Sequence, residues 1–300
     1  MAQAPGDRSN RLVILGTKAL AEKLIARLVD AGLPPVAVIT WDDAADTRSR
    51  LPELAELSSA IGADFTVARR GAEAHTALEA AEPTVVFVAG WYRLIPDDVL
   101  AVAPRGFVGA HYSPLPHYRG SAPVVWQLLR GEERIGFSIF RLGSEMDEGA
   151  LAGTGWVPAG DGYVGDVLER LDDAAIDSWV SVAPGLLAGT HRFEAQPDER
   201  PSYTSIRIPA DGRIDWSAPA ESIVRAVRAQ SRPYPGAWSE LGPKPVTVWR
   251  AAVENSADYF GVPGQVIRVL GPHAVVACGD GGVLLEEHTG PVLTLGSRLS

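Results

Sequence analysis

Apolar and polar positions follow two alternating rhythms along the first 110 residues of the chain. Short apolar runs rich in β-branched residues, such as RLVILGT (11–17) and TVVFVAG (84–90), are typical of buried strands. The stretch KALAEKLIARLVDAG (18–32) instead repeats its apolar residues at helical spacing and ends at a glycine. This alternation of strands and helices predicts a parallel sheet with helices on both faces.

The predicted α/β sheet is Rossmann-like but lacks the fingerprint of a dinucleotide site. A single glycine, Gly16, follows the first strand, whereas that fingerprint needs three glycines in the spacing GxGxxG. A nicotinamide cofactor is therefore not expected. Ligands of such sheets bind beyond the carboxyl ends of the strands, which here are AGWYRLIP (89–96) and GAHYSPLP (109–116).

The last hundred residues have a different pattern. Valine-rich runs such as PVTVWRAAV (245–253) and HAVVACG (273–279) are separated by Gly and Pro turns about every ten residues. This spacing predicts a small all-β domain, either a barrel or a sandwich, and we take an OB-like barrel as the working prediction. The polar, proline-bearing stretch QPDERPSYTS (196–205) is predicted to be a linker between a catalytic domain at 11–195 and the barrel at 206–300, and residues 1–10 a disordered leader.

The amino-acid composition indicates a folded globular protein without disulfides or membrane spans. The chain of 300 residues is 46% hydrophobic and 21% charged, which is typical of a folded globular protein. One cysteine, Cys278, excludes an intramolecular disulfide and is predicted to be a small core residue. With no signal-peptide pattern and no apolar run long enough to span a membrane, we expect a cytoplasmic protein without a membrane partner.

A histidine and a carboxylate are the candidate chemical groups. His111 follows the strand GFVGA, and the prolines at 114, 116 and 123 predict a rigid loop after it. Asp147 lies in the turn SEMDEGA between two predicted strands. Such a pair at the ends of strands is suited to general acid–base chemistry, although either residue alone is as typical of a hydrogen-bonded loop or a solvated turn.

The sequence from 111 to 153, HYSPLPHYRGSAPVVWQLLRGEERIGFSIFRLGSEMDEGALAG, resembles the folate-dependent formyltransferases. That family has Asn-x-His-x-Ser-x-Leu-Pro-x-x-Arg-Gly followed by Ala-Pro and a Leu-Asp-x-Gly turn. VFVAGWYRLIPDDVL is similar to its tetrahydrofolate loop, and SYTSIRIPADGRIDWSAPAESIVRAVRAQSRPYPGAWSEL to the start of its C-terminal barrel. The resemblance covers nearly the whole chain and implies formyl transfer from 10-formyltetrahydrofolate to a primary amine.

The resemblance also implies a role for particular residues. His111 would polarise the formyl oxygen or stabilise the oxyanion. Asp147 would accept the proton of the amine through water and keep His111 charged. Ser113 and Arg119 are candidate substrate-binding residues, with a structural ion pair as the alternative for Arg119. No metal is implied. The residues expected to bind the pterin are Trp91, Tyr92, Arg93, Leu94, Ile95, Glu145 and Met146.

One position departs from the family pattern. Gly109 stands where the family has an asparagine, whose amide is a donor to the oxyanion. Removing one such donor typically costs on the order of 10²–10³ in rate. Three alternatives follow: another group or water supplies the donor, the freed space admits an acyl group larger than formyl, or only binding is retained.

The charge distribution bears on the amine acceptor. Net charge is −10, and residues 201–300 carry nine Lys or Arg against nine Asp or Glu. The stretch WDDAADTRSRLPEL (41–54), where the tRNA-modifying branch of the family has a basic loop, is acidic at its start. A tRNA acceptor is therefore the minority prediction. A small-molecule amine, such as an amino sugar, a sugar nucleotide or an amine of secondary metabolism, is the favoured one.

Overall fold

A computed structural model describes residues 10–255 and 258–300. The chain forms two compact units that are interleaved along the sequence. The N-terminal unit comprises the residues up to Arg119, Gly136–Trp156 and Leu171–Ser202. The C-terminal unit comprises Gly120–Ile135, Val157–Arg170 and Tyr203–Ser300. Most of the predicted leader lies outside the described residues.

The helices and strands follow the predicted order. The helices are α1 (Lys18–Asp30), α2 (Leu51–Ile61), α3 (Gly71–Ala81), α4 (Asp97–Leu100), α5 (Pro123–Arg130), α6 (Val164–Ala188) and α7 (Ala220–Gln230). The first nine strands are β1 (Leu12–Gly16), β2 (Ala37–Trp41), β3 (Asp64–Ala68), β4 (Val85–Ala89), β5 (Phe107–His111), β6 (Arg119–Gly120), β7 (Arg134–Arg141), β8 (Leu151–Pro158) and β9 (Tyr203–Thr204). The last five are β10 (Ala237–Leu241), β11 (Lys244–Glu254), β12 (Val266–Leu270), β13 (His273–Ala277) and β14 (Gly282–Thr289).

A seven-stranded sheet in the order β3-β2-β1-β4-β5-β7-β8 forms the centre of the N-terminal unit. Its first five strands are parallel and β7 is antiparallel to β5, so the predicted Rossmann-like sheet is confirmed. Strands β1 and β4 are buried along their whole length, as their continuous apolar runs predict. Gly16 serves packing, because a Cβ there would lie 2.7 Å from the Ala89 carbonyl oxygen.

The C-terminal unit contains an antiparallel sheet in the order β10-β11-β14-β13-β12. Bridges from Leu299 to Leu241 and from Arg298 to Gln265 tie the last residues of the chain to both edges of this sheet. These bridges give backbone partners to the two edge strands, β10 and β12. Cys278 lies in the core of this unit, as predicted, and burial raises the pKa of its thiol.

The compact units interleave along the chain on the N-terminal side of the predicted linker at 196–205. Helix α5 packs against α7, so residues 120–135 group with the C-terminal unit although they precede that linker by many positions. Residues 196–202, predicted as part of a linker, belong to the N-terminal unit. Within the described residues, no helix is long and apolar enough to cross a membrane.

Candidate active site

His111 is the last residue of β5, and one hydrogen bond orients its ring. Its Nε2 lies 2.8 Å from the carbonyl oxygen of Tyr118. Because a carbonyl can only accept, Nε2 carries the hydrogen and donates. The other ring nitrogen, Nδ1, therefore faces Asp147, whose Oδ2 is 3.7 Å away. The structure thus brings together the histidine and the carboxylate that the sequence singled out.

Asp147 reaches His111 from a tight turn between β7 and β8. Its φ of 55° lies in the left-handed region, which is uncommon for a residue with a side chain. Two positions later, a Cβ on Gly149 would lie 1.6 Å from the Arg141 carbonyl oxygen, so only glycine fits. The Asp-x-Gly spacing is therefore a requirement of the backbone that presents the carboxylate.

Gln196 holds this turn, and sequence reasoning did not identify it. Its Nε2 donates to the carbonyl oxygens of Asp147 at 2.7 Å and Gly149 at 2.9 Å. Its Oε1 accepts a hydrogen bond from Arg119 at 2.7 Å. A single glutamine in a polar, proline-bearing stretch is typical of an exposed loop, so no local pattern could have identified it.

Arg119 and Ser113, the candidate substrate-binding residues, both lie inside the framework of the site. Arg119 is buried, and its Nη1 is 2.5 Å from Glu148 while Nη2 bonds Gln196. Ser113 is fully buried, and its hydroxyl donates to the carbonyl oxygen of His117 at 2.7 Å. In these positions the two side chains stabilise the loop after β5 and the Asp147 turn.

The space beside Gly109 is filled by a neighbouring side chain. A Cβ at this position would lie 2.7 Å from Cδ1 of Leu142, the residue that follows β7. Gly109 pairs with Val88 on one side and Phe140 on the other. The glycine therefore leaves no open pocket at its own Cβ, because Leu142 occupies that volume.

The predicted pterin-binding residues combine buried and exposed side chains. Trp91 is half-buried and meets Trp41 edge to face, with ring centroids 5.7 Å apart, while Ile95 packs on the same apolar cluster. The Arg93 guanidinium lies 4.5 Å from the Trp41 centroid. Exposed side chains complete the set: Tyr92 and Leu94 in the loop after β4, and Glu145 and Met146 beside Asp147.

Comparison with known proteins identifies the chain. Residues 10–170 match the formyl transferase family, and residues 208–291 match the formyl transferase C-terminal domain. The chain belongs to the formyl transferase family. It is 34% identical over 273 residues to methionyl-tRNA formyltransferase of Acidothermus cellulolyticus, covering 87% of this chain and 84% of that protein. The family resemblance of the sequence is thereby confirmed.

Solved structures share the formyl transferase fold at low sequence identity. HypX from Aquifex aeolicus in complex with tetrahydrofolic acid matches with TM-score 0.71 and 17% identity over 93% of this chain, which spans 44% of that protein. An N-formyltransferase from Helicobacter canadensis, in complex with folinic acid and dTDP-3-aminofucose, matches with TM-score 0.67 and 14% identity. That match covers 97% of this chain and all of the other.

In this formyl transferase, the charged residues of the loop after β2 form ion pairs with one another and with the ends of α1 and α2. Lys18 and Arg48 each lie 2.9 Å from Asp46, and the hydrogen bonds from Arg48 hold the pKa of Asp46 well below its usual range. Arg50 is likewise 2.9 Å from Glu53. These pairs leave little net positive charge in the loop. Among the described residues, no group of three or more metal-binding side chains occurs.

Proposed function

We propose that this protein transfers a formyl group from 10-formyltetrahydrofolate to the primary amine of a small molecule. The observation that carries the proposal is the pairing of His111 with Asp147, with Nδ1 of the ring facing the carboxylate. Acyl transfer to an amine needs a donor for the developing oxyanion and an acceptor for the proton of the amine. These two side chains supply both groups within a single site.

The residues around the pair suit a folate. Tyr92, Leu94 and Met146 expose large apolar surfaces, with exposed fractions of 53%, 92% and 62%. Exposed apolar side chains on loops are typical of a surface that a ligand covers. The co-substrate would supply the formyl carbon there, and we expect its pterin to lie against these three residues.

The hydrogen bond to Tyr118 assigns different tasks to the two nitrogens of His111. Because Nε2–H is already bonded, Nδ1 is the nitrogen that would donate to the formyl oxygen, and it would do so from the doubly protonated ring. The separation of 3.7 Å from Nδ1 to Asp147 exceeds a direct hydrogen bond. The carboxylate would therefore act on the amine proton, directly or through one water, and stabilise the imidazolium electrostatically.

The filled space at Gly109 supports formyl as the transferred group. A larger acyl group would need volume beside the reacting carbonyl, and Leu142 occupies the volume next to Gly109. Because glycine has no side chain, the donor lost with asparagine must come from elsewhere. We assign it to His111 together with a backbone N–H or water. The intact His111 and Asp147 pair argues against a protein that only binds its ligands.

Two observations point to different acceptors. The self-neutralised loop after β2 offers little attraction to nucleic-acid phosphates, which favours a small amine such as an amino sugar. The 34% identity to a methionyl-tRNA formyltransferase favours methionyl-tRNA. We give priority to the small amine because its evidence comes from this chain's own residues, and keep methionyl-tRNA as the second candidate.

The test is incubation of the protein with 10-formyltetrahydrofolate and a panel of acceptors, followed by mass spectrometry. The panel contains amino sugars, their nucleotide-linked forms, amino acids, diamines and methionyl-tRNA. We expect a mass gain of one formyl group on a small amine, lost in His111→Ala. Formylation of methionyl-tRNA alone would select the second candidate. A different mass gain would show transfer of another acyl group.

A further inference from the structure

We propose that residues Gln196–Ser202 form a strap that sets the distance between His111 and Asp147, and that Gln196 is a positioning residue for the reaction. This inference rests on the proposed function, because it names residues that act through the proposed catalytic pair. It concerns a stretch that the sequence predicts to be part of a linker. The contacts that carry it all lie within the N-terminal unit.

The first end of the strap holds the Asp147 turn. A side-chain amide offers two N–H donors and one acceptor. At Gln196 both the donor nitrogen and the acceptor oxygen are engaged: Nε2 bonds the carbonyls of Asp147 and Gly149, and Oε1 accepts from Arg119. No other uncharged side chain of this length carries both functions. Gln196 therefore fixes the backbone on both sides of Glu148.

Arg119 determines which way the Gln196 amide faces. The guanidinium can only donate, so the amide oxygen must face it and the amide nitrogen must face the turn. Its Nη1 also bonds Glu148 at 2.5 Å. The turn is thus held at three consecutive residues, at Asp147 and Gly149 through their carbonyls and at Glu148 through its carboxylate. A buried arginine and a glutamine provide all three contacts.

The second end of the strap holds the His111 loop. The Ser202 hydroxyl accepts from the Tyr118 N–H at 2.9 Å, and its carbonyl accepts from the Arg119 N–H at 2.9 Å. Tyr118 has a φ of 57°, so its backbone is held in the left-handed region. The carbonyl of this same residue receives the hydrogen bond from His111 Nε2. A shift at Ser202 would therefore move the imidazole.

One continuous stretch of seven residues thus contacts the backbones that carry both members of the catalytic pair. Between its ends, Glu199 accepts from His117 at 2.8 Å and adds a third attachment to the loop. Misplacement of a reacting group by about 1 Å can cost on the order of 10²-fold in rate. The strap accordingly affects turnover without touching substrate.

The test compares Gln196→Glu with Gln230→Glu. Gln230 is a buried glutamine of the C-terminal unit that also accepts from an arginine, Arg207 at 2.7 Å, and donates to a carbonyl, Ala226 at 2.9 Å. The chemical change is the same at both positions. We expect kcat to fall by about 10²-fold in Gln196→Glu, with KM for 10-formyltetrahydrofolate changed by less than about twofold. Gln230→Glu should keep the wild-type kcat.

A double-mutant cycle separates positioning from general damage. If Gln196 acts through Asp147, Gln196→Glu should have little further effect in an Asp147→Asn background. Equal losses in both backgrounds, or a kcat reduction no larger than that of the Gln230 control, would overturn the proposal. Gln196→Leu, which lacks the added charge, should reproduce the loss.

Nitrogen NMR of the histidine rings in the ligand-free protein tests the strap without any turnover. We expect Gln196→Glu and Ser202→Ala to shift the ring resonances of His111, while Gln230→Glu leaves them unchanged. Unchanged His111 resonances in both strap variants would overturn the strap even if the enzyme formylates an amine. Absence of formyl transfer by the wild type, with shifted resonances, would instead contradict the proposed function and leave the strap standing.

Discussion

Two loops at the carboxyl edge of the N-terminal sheet are held by different kinds of contact. The loop after β2 uses ion pairs between exposed or half-buried side chains, such as Lys18 with Asp46 and Arg50 with Glu53. The loop after β5 uses hydrogen bonds of buried groups, among them the hydroxyls of Ser113 and Ser138. Exposed ion pairs contribute about 0–1 kcal/mol each and weaken with salt.

Buried hydrogen bonds behave differently, because breaking one leaves a desolvated partner at a cost of about 1–3 kcal/mol. The comparison shows that a firmly fixed backbone accompanies the residues proposed for chemistry. The loop after β2, in contrast, is held mostly by ion pairs between exposed or half-buried side chains. The predictions below test this contrast, beginning with the largest expected effect.

The largest effect is expected at the catalytic pair. Asp147→Asn should reduce formyl transfer by on the order of 10²–10⁴-fold, because the amide cannot accept the amine proton. The same chemical change in the loop after β2, Asp46→Asn, should leave turnover within about twofold. Steady-state kinetics with 10-formyltetrahydrofolate and the accepted amine measure both. Equal turnover by wild type and Asp147→Asn would contradict the assignment of this carboxylate.

A large effect is also expected at Gly109. Gly109→Asn should lose activity, since the new side chain meets Cδ1 of Leu142 at 2.7 Å from its Cβ. The double variant Gly109→Asn with Leu142→Ala removes that contact and should recover formyl transfer. If a missing amide donor limits the rate, the double variant should exceed the wild type, by up to about 10²-fold. Leu142→Ala alone is the control for the cavity.

An intermediate effect is expected for the buried hydroxyl of the loop after β5. Ser113→Ala removes the donor to the His117 carbonyl and should lower the free energy of unfolding by about 1–3 kcal/mol. Arg50→Ala in the other loop removes an ion pair with Glu53 between an exposed and a half-buried side chain. Its cost should stay below about 1 kcal/mol. Denaturant unfolding distinguishes the two, and equal losses would remove the contrast between the loops.

The smallest effect is expected from acidification. The pKa of Asp46 is lowered in the folded state by its hydrogen bonds to Arg48 and Lys18. Below the unfolded pKa of about 3.9, the unfolded chain binds the proton first, so this stabilisation is lost as pH falls. The melting temperature of Asp46→Asn should therefore decline slightly less than that of wild type between neutral pH and pH values below about 4. Parallel declines would contradict the prediction.

Periodicity and motif spacing predicted much of the molecule. The β-branched runs and helical repeats located the parallel sheet, and the His111 loop and Asp147 turn proved to be neighbours. The Gln196 strap could not be predicted, because its contacts join residues 49 and 77 positions apart and depend on no local pattern. The filling of the Gly109 space by Leu142 also depends on strand pairing, and the sequence suggested free space instead.

The grouping of α5 shows a further limit of local patterns. Its apolar face predicts burial but does not specify the partner, which the structure identifies as α7, far along the chain. For the same reason the interleaving of the two units along the chain could not be predicted from local composition. The division of the chain into two units depends on contacts between segments that are distant in sequence, whereas local composition describes only residues that are close in sequence.

This interleaving has a consequence for how the protein can be made and dissected. The polypeptide passes from one unit to the other after residues 119, 135, 156, 170 and 202, so no single cut releases either unit whole. On the ribosome, α5 emerges long before α7, so its apolar face stays unburied until α7 has been synthesised. A fragment ending at residue 202 would keep the strap yet expose α5, and we expect it to aggregate unless residues 203–300 are supplied as a second chain.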